Sequence, residues 1–209
     1  MTAGRRLVLG AACALVLAVA SSASAQPREA LGGWAIDLRG AITSLPATAG
    51  WVPTLATGTL VPARGFGADG GVDVFVGPGR HRRLSVGARG TVVQGRASTV
   101  ATNLTVTSRL FAAAPHVAMN FGHRQGWSYL SLGAGQASVT ANAPGSPEDP
   151  GGRGLVLHYG GGARWFVSSH LAVSMDLRFW ALTPRPANSV RTRATAATKV
   201  AFSAGIALR

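Results

Sequence analysis

Strict alternation of apolar and polar residues in the last third of the sequence constrains the fold more than any other feature. Every second residue over Leu171–Phe179 is apolar, whereas Asp176 and Arg178 lie between them. A period of two is typical of a β-strand that presents its two residue sets on opposite faces. Residues 155–167 alternate in the same way, and the tripeptide Ser168–His170 separates the two stretches. The sequence therefore predicts a hairpin of two long strands, each close to the ten or so residues that cross a bilayer at a tilt.

The same alternation recurs in six further segments, which predicts eight strands in all. These segments lie around Trp34, Val72, Leu84, Phe111, Leu130 and Val200. The linkers between them alternate in length: residues 43–65, 95–105, 141–154 and 183–198 are long, and 77–82, 122–126 and 168–170 are short. Outer-membrane barrels have long external loops and short periplasmic turns. We therefore predict an all-β fold, an eight-stranded antiparallel up-and-down transmembrane β-barrel. A soluble sandwich would not sort its loops in this way.

The amino-terminal residues predict export. Two arginines precede the apolar run Leu7–Ala20, and Ala23–Ala25 forms a small-x-small cleavage site. We predict a cleaved signal peptide over residues 1–25 and an outer-membrane β-barrel domain over residues 26–209. The single cysteine, Cys13, lies in the signal, so we expect no disulfide and no thiol chemistry in the mature chain.

The charge indicates the kind of partner. The formal net charge is +13, Lys199 is the single lysine, and the arginines are spread along the whole chain. A surface that faces anionic headgroups or lipopolysaccharide phosphates favours cations, and so does a GC-rich genome. Nucleic-acid binding would instead cluster basic residues with aromatics on one face. We expect outer-membrane lipid and lipopolysaccharide as partners, and no nucleic acid.

The charged residues inside the alternating segments share the inward parity. An eight-stranded barrel is just wide enough to be filled by side chains, and a lone buried charge is very costly. We therefore predict a connected barrel-interior network, mainly structural, with a proton or ion path as its alternative role. The network is predicted to consist of Asp37, Arg39, Asp73, Arg89, Arg164, Asp176 and Arg178.

Several aromatic residues lie near predicted strand ends. Membrane barrels carry girdles of aromatic side chains at both membrane–water interfaces. We predict such interfacial positions for Trp34, Trp127, Tyr129, Trp165 and Trp180.

Two segments carry a resemblance to a known family. The stretch WSYLSLGAGQAS, followed by HYGGGARWFVSSHLAVSMDLRFW, resembles the last two hairpins of small bacterial outer-membrane barrels of the OmpA and opacity-protein type. The likeness extends more loosely over Gly32–Arg209, and it implies an eight-stranded barrel in the outer membrane of a Gram-negative-type cell. Such barrels usually end in an aromatic residue that the barrel assembly machinery recognises. This chain ends in Leu208 and Arg209, although Phe202 and Leu208 keep the expected parity.

Catalysis requires a convergent set of groups, which the sequence does not provide. Some small barrels of this type act on lipid A through a serine and a histidine at the membrane edge, and here His170 follows Ser169 in a short turn. The two glutamates, Glu29 and Glu148, both lie outside the predicted strands, so an acidic partner for the histidine is not evident. The five histidines show no metal-ligand spacing. We predict no enzymatic activity, no cofactor and no metal.

The function predicted from the sequence is a structural or surface-interaction role. The long apolar loop that holds Trp51 and the basic loop with Arg185, Arg191 and Arg193 are available for contact with an unknown surface ligand. A narrow pore for small solutes is the alternative, although the barrel is expected to be filled. A secreted lipocalin-like barrel would need an apolar interior, the reverse of the observed parity.

Overall fold

The computed structural model describes residues 33–48, 50–51, 59–76, 84–99, 104–123, 126–144, 152–187 and 192–209. The predicted signal peptide, residues 1–25, lies outside the described residues, as do the first residues of the predicted barrel domain. No helix in these described ranges is long and apolar enough to cross a membrane.

Eight antiparallel strands form one closed barrel. The strands are β1 (Trp34–Ser44), β2 (Arg64–Val76), β3 (Leu84–Thr99), β4 (Leu104–His123), β5 (Gly126–Asn142), β6 (Gly152–Phe166), β7 (Leu171–Leu182) and β8 (Ala197–Leu208). Each strand pairs with its neighbours in sequence, and β8 returns to β1, where Leu208 pairs with Ile36. Closure gives every strand two partners and leaves no unpaired sheet edge. The predicted eight-stranded up-and-down barrel is confirmed.

The connections follow the predicted alternation except between β3 and β4. At one end of the barrel, called the loop end below, consecutive strands are separated in sequence by residues 45–63, 100–103, 143–151 and 183–196, and at the other, called the turn end, by residues 77–83, 124–125 and 167–170. The predicted loop over 95–105 is mostly strand, because β3 continues to Thr99 and β4 begins at Leu104. Ser98 Oγ and Thr105 Oγ1 lie 3.0 Å apart across this extension, and Val106 is buried on its inner face. The outward residues of this extension are polar, which explains why its sequence resembles that of a loop.

The outer wall of the barrel carries an apolar belt. On β4 the outward side chains of Phe111, Val117, Met119 and Phe121 are 43–57% exposed. At about 3.3 Å per residue and a tilt of about 40°, the stretch from Phe111 to Phe121 is about 25 Å tall. Among the described residues, no charged side chain points outward within this belt. Its height matches the apolar band of about 25 Å on outer-membrane barrels.

The lumen is filled in three layers. An apolar cluster at the turn end consists of Ala35, Phe75, Trp127, Phe166, Ala172 and Ala207. A second cluster at the loop end includes Leu45, Trp51, Val93, Leu110, Val139, Val156, Trp180 and Leu182. Charged and polar side chains fill the level between them. This middle level, called the ionic layer below, is therefore separated from both barrel ends by apolar side chains.

Candidate functional site: the ionic layer

Glycines on the barrel wall leave room for the large side chains of the ionic layer. A Cβ atom at Gly162 would lie 2.6 Å from the hydroxyl oxygen of Tyr129. A Cβ atom at Gly71 would lie 3.2 Å from Nε of Arg89. The glycine-rich strands therefore allow arginine and tyrosine to fit inside a narrow barrel.

Asp37 on β1 joins several strands of the barrel. Arg164 of β6 donates to it twice, from Nε to Oδ1 at 3.1 Å and from Nη2 to Oδ2 at 2.6 Å. Arg39 Nη2 lies 2.6 Å from Oδ1, and Ser174 Oγ donates to the same oxygen at 3.0 Å. Arg164 also donates to Asp73 on β2. The planar fork of the guanidinium allows one arginine to hold two carboxylates.

The hydroxyl group of Tyr129 joins the two halves of the layer. It donates to Asp176 Oδ2 at 2.6 Å and accepts from Arg39 Nη2 at 3.1 Å and Arg89 Nη2 at 3.3 Å. The guanidinium of Arg164 lies 4.6 Å from the centroid of the tyrosine ring, close enough for a cation–π contact. A single side chain thus contacts one carboxylate and three guanidinium groups.

Arg178 on β7 organises the half of the layer nearer the loops. It donates to Asp176 from Nε at 3.1 Å and from Nη2 at 2.9 Å. Its Nη1 donates to Ser131 Oγ at 3.0 Å and lies 2.6 Å from Nδ1 of His158. Arg89 Nη1 lies 2.8 Å from Asp176 Oδ2. Asp176 is therefore shared by two arginines and the tyrosine.

All seven residues predicted for the network face the lumen and are at most 2% exposed. Asp69, which was not among the predicted residues, also belongs to the network and accepts from Arg39 Nη1 at 2.9 Å and from Thr91 Oγ1 at 2.6 Å. Within the described residues, the layer contains the aspartates Asp37, Asp69, Asp73 and Asp176 and the arginines Arg39, Arg89, Arg164 and Arg178. The seven predicted residues alone carried one excess positive charge, which Asp69 neutralises. Its parity, shared with Asp73, could have revealed it.

Two histidines extend the layer, and one of them has a defined tautomer. His116 Nε2 lies 2.8 Å from Asp73 Oδ1, and the ring centroids of His116 and His158 are 6.0 Å apart. A guanidinium has only donors, so Nδ1 of His158 must accept from Arg178 and Nε2 must carry the hydrogen. In that tautomer Nε2 has no lone pair for a metal. The part of the chain that the structure describes contains no group of three or more His, Cys, Asp or Glu residues suited to a metal ion.

Three of the five predicted interfacial aromatics lie inside the barrel, so that prediction is wrong for Trp127, Tyr129 and Trp180. Trp127 belongs to the apolar cluster at the turn end, Tyr129 to the ionic layer, and Trp180 to the apolar cluster at the loop end. Their exposures are 7%, 3% and 0%. Each has the inward parity of its strand, and for Tyr129 the hydroxyl group finds its partners in the ionic layer. Trp34 and Trp165 do lie on the outer wall at the turn end, where their interfacial role remains a prediction.

Side chains from two long loops cover the loop end. Trp51 is 2% exposed, and its Nε1 donates to the carbonyl of Thr195 at 2.9 Å. The guanidinium of Arg185 lies 5.5 Å from the tryptophan ring and donates to the carbonyls of Val139, at 3.1 Å, and Gly152. Trp51 and Arg185 were expected to be available for surface contact, but both are buried. They fasten the loops over the barrel.

The serine–histidine pair in the last short turn is exposed. Ser169 Oγ lies 2.8 Å from His170 Nδ1, and Ser168 Oγ accepts from the backbone of Leu171 at 3.2 Å. In the described ranges every carboxylate side chain lies in the lumen, so none is placed to orient His170 from outside.

Comparison with known proteins gives a fold likeness. No protein-family model matches the chain, and no curated protein matches it in sequence. The structure is similar to Neisserial surface protein A, with a TM-score of 0.58 and 12% identity over 86% of this chain and 99% of that one. It is also similar to Ail, the attachment invasion locus protein of Yersinia pestis, with a TM-score of 0.54 and 10% identity over 85% of this chain and 99% of that one. The chain therefore has the fold of the small eight-stranded outer-membrane barrels.

Proposed function

We propose that this chain is an integral outer-membrane barrel that neither conducts solutes nor catalyses a reaction, and that it has a structural or surface-interaction role. The observation that carries this proposal is the filled lumen. Four aspartates and four arginines of the described chain are paired in the ionic layer, between two apolar clusters. The apolar belt on the outer wall supports membrane insertion, since so much exposed apolar surface would be unfavourable in water.

A narrow pore is the second candidate, and the polar character of the middle layer favours it. A permeating ion would first have to pass the cluster around Trp127 and Phe75 or the one around Trp51 and Trp180. It would then have to separate ion pairs such as Arg164–Asp37, which are 2.6 Å apart. Breaking a buried ion pair costs about 3–5 kcal/mol. These two barriers act in series, so the closed lumen is the stronger interpretation.

Single-channel recording tests the closed lumen. The folded protein, identified by faster gel migration before boiling than after, is added to planar bilayers beside the variant Trp127→Ala. We expect no conductance steps from either, because the variant opens one apolar cluster and leaves the ionic layer intact. Stable steps from the wild-type protein that boiling abolishes would establish the pore instead.

The proposal that the barrel is not an enzyme is tested at the Ser169–His170 pair. Purified protein is incubated with lipid A and with phospholipid in detergent micelles, and the products are resolved by mass spectrometry. We expect no turnover, since no carboxylate side chain of the described residues is placed to orient His170. Loss of an acyl chain or a phosphate that the substitution Ser169→Ala abolishes would contradict this expectation.

Outer-membrane lipid, lipopolysaccharide and the barrel assembly machinery are the partners we propose. The outward residues of the last strand support recognition by that machinery, since Val200, Phe202, Ile206 and Leu208 are 42–46% exposed in one row. The test is insertion in cells, measured as the unboiled fast-migrating fraction. We expect Phe202→Ala to slow insertion and Thr198→Ala to leave it unchanged. Equal rates for both variants would remove the support.

A further inference from the structure

Four exposed arginines lie at one height on the outer wall, at the loop end of β2, β3, β4 and β6. They are Arg64, Arg96, Arg109 and Arg153, called the arginine collar below. Strand pairing fixes the positions of these arginines along neighbouring strands, because Arg109 pairs with Gln94 of β3 and Arg153 pairs with Ser138 of β5. With a rise of about 3.3 Å per residue, a strand spacing of about 4.8 Å and a tilt of about 40°, all four lie within about 5 Å of one level. That level is about 30 Å above the outward residues at the turn end.

The collar begins where the apolar belt ends. On β2 the outward residue below Arg64 is Phe66, which is 70% exposed, and on β4 the one below Arg109 is Phe111, which is 50% exposed. The same step from apolar to cationic occurs from Leu155 to Arg153 on β6. Cations at this boundary lie at the depth of lipid headgroup phosphates, just outside the hydrocarbon.

No carboxylate of the described residues lies on the outer wall to neutralise the collar. The four aspartates in these ranges all point into the lumen, and the remaining acidic residues, Glu29, Glu148 and Asp149, lie outside the described residues. Arg109 Nη2 donates to Gln94 Oε1 at 3.1 Å, a neutral contact that orients the guanidinium and leaves its charge uncompensated.

The collar covers one side of the barrel. At the same height the opposite side has neutral hydroxyl side chains, namely those of Ser44 on β1, Thr198 on β8 and Thr183 directly after β7. Between Arg109 and Arg153, β5 presents Ser138 and Thr140, which can add hydrogen bonds to a phosphate. A ligand held by this arc would contact β2 to β6 and leave the opposite wall free.

We infer that the arginine collar binds the phosphate groups of lipopolysaccharide in the outer leaflet, with the acyl chains lying along the apolar wall below it. This inference rests on the proposed outer-membrane location. Arginine suits the task because its planar fork matches phosphate geometry with two parallel hydrogen bonds. One lipid A molecule has phosphate groups above several acyl chains. The barrel wall has cationic side chains above apolar ones, so the two surfaces are complementary.

The first experiment measures lipid A binding by the folded barrel. Cys13 is the single cysteine in the sequence, so the barrel domain without the signal, with Gln136→Cys on the outer face of β5, accepts one environment-sensitive fluorophore inside the arc. Bisphosphorylated lipid A is titrated into phosphatidylcholine vesicles, and the mole fraction at half-saturation is recorded. Exchanging all four collar arginines for glutamine should weaken binding on the order of 600-fold, since a juxtamembrane cation contributes roughly fivefold each. Arg193→Gln, which removes an exposed cation from a loop, is the matched control and should leave binding unchanged.

Three comparisons decide whether lipid A phosphate is the ligand. Dephosphorylated lipid A should bind the wild-type barrel as weakly as bisphosphorylated lipid A binds the quadruple variant. Phosphatidylglycerol at equal charge should bind at least tenfold more weakly than lipid A, and equal binding would overturn the assignment to lipopolysaccharide. Saturable binding of a soluble sulfated oligosaccharide without a response to lipid A would overturn it in favour of a glycan. In each case the closed barrel is checked separately, by fast migration of the unboiled protein and by the absence of conductance steps in planar bilayers. The inferred lipid A binding can therefore be refuted while the proposed function stands.

A second label tests the one-sided arrangement. The fluorophore is moved to Thr198→Cys on β8, at the height of the collar on the opposite wall. Lipid A should change the emission of the label at position 136 and leave the label at 198 at least fivefold less affected. Equal responses would show a uniform lipid annulus and refute a defined binding arc.

Discussion

Replacing Asp69 with asparagine should show whether charge balance stabilises the lumen. The substitution keeps the side-chain volume but leaves three aspartates against four arginines in the described part of the ionic layer. Arg39 lies 2.9 Å and Arg89 3.7 Å from Asp69, distances that correspond to about 6 and 4 kcal/mol at an effective dielectric constant of 20. Neutralising Asp69 also removes its own desolvation penalty of several kcal/mol. Arg39 keeps Asp37 at 2.6 Å, so we expect a net loss of about 3 kcal/mol in the free energy of unfolding.

The assay is reversible urea unfolding in lipid vesicles, followed by tryptophan fluorescence and extrapolated linearly to zero urea. The double variant Asp69→Asn with Arg39→Met restores equal numbers of opposite charges. Its loss should therefore be smaller than the sum of the two single losses by about 1.5 kcal/mol or more. Arg193→Gln changes the net charge at an exposed position and should stay within about 0.5 kcal/mol of the wild type. Additive losses in the double variant would refute the argument from charge balance.

Three further predictions concern the packing of the lumen and its cover. Tyr129→Phe removes a hydroxyl that contacts one carboxylate and two arginines, and should lower the free energy of unfolding by about 2 kcal/mol in the same urea assay. Gly133→Ala places a Cβ atom 2.4 Å from His158 Nε2 and should abolish the fast-migrating band, whereas Gly40→Ala, whose nearest atom would be 3.9 Å away, should keep it. Trp51→Ala should expose the loop between β1 and β2 to limited proteolysis while the barrel core stays resistant, because the tryptophan fastens loops and not strands.

The barrel and most of its ionic layer were predictable from parity, because a charge that points outward within the apolar belt would lie in lipid hydrocarbon. Asp37, Arg164 and Arg178 were assigned inward on that ground, and all three lie in the lumen. Asp69 was missed because its neighbours in GADGG are small and show no alternation. Tyr129 was assigned outward from residue type, although its parity was inward. Where residue type and parity disagreed, parity was correct.

Which arginine contacts which aspartate was not predictable from the sequence. Asp37 and Arg164 are 127 residues apart, and their contact depends on the shear of the closed sheet. The same holds for the loops, since Trp51 meets Thr195 only because the ends of β1 and β8 are neighbours in the barrel. Alternation predicts whether a side chain points inward or outward. Its contact partner across the lumen depends on the register of all eight strands.

The near absence of lysine agrees with the contacts that arginine makes in the lumen and with the phosphate binding that we infer for the collar. In the lumen, Arg164 and Arg178 each donate to both oxygens of one carboxylate and still have donors for another partner. An ammonium group is a compact, strongly hydrated charge whose donors diverge from one nitrogen, so it does not match the two oxygens of a carboxylate as the planar guanidinium does. On the outer wall the same planar fork suits phosphate.

The ionic layer of the described residues is neutral as a set, so it contributes nothing to the net charge of +13. In the described part of the chain, the excess positive charge therefore comes from side chains outside the ionic layer, the collar among them. This explains why a composition that would also suit a nucleic-acid-binding protein occurs in a membrane barrel.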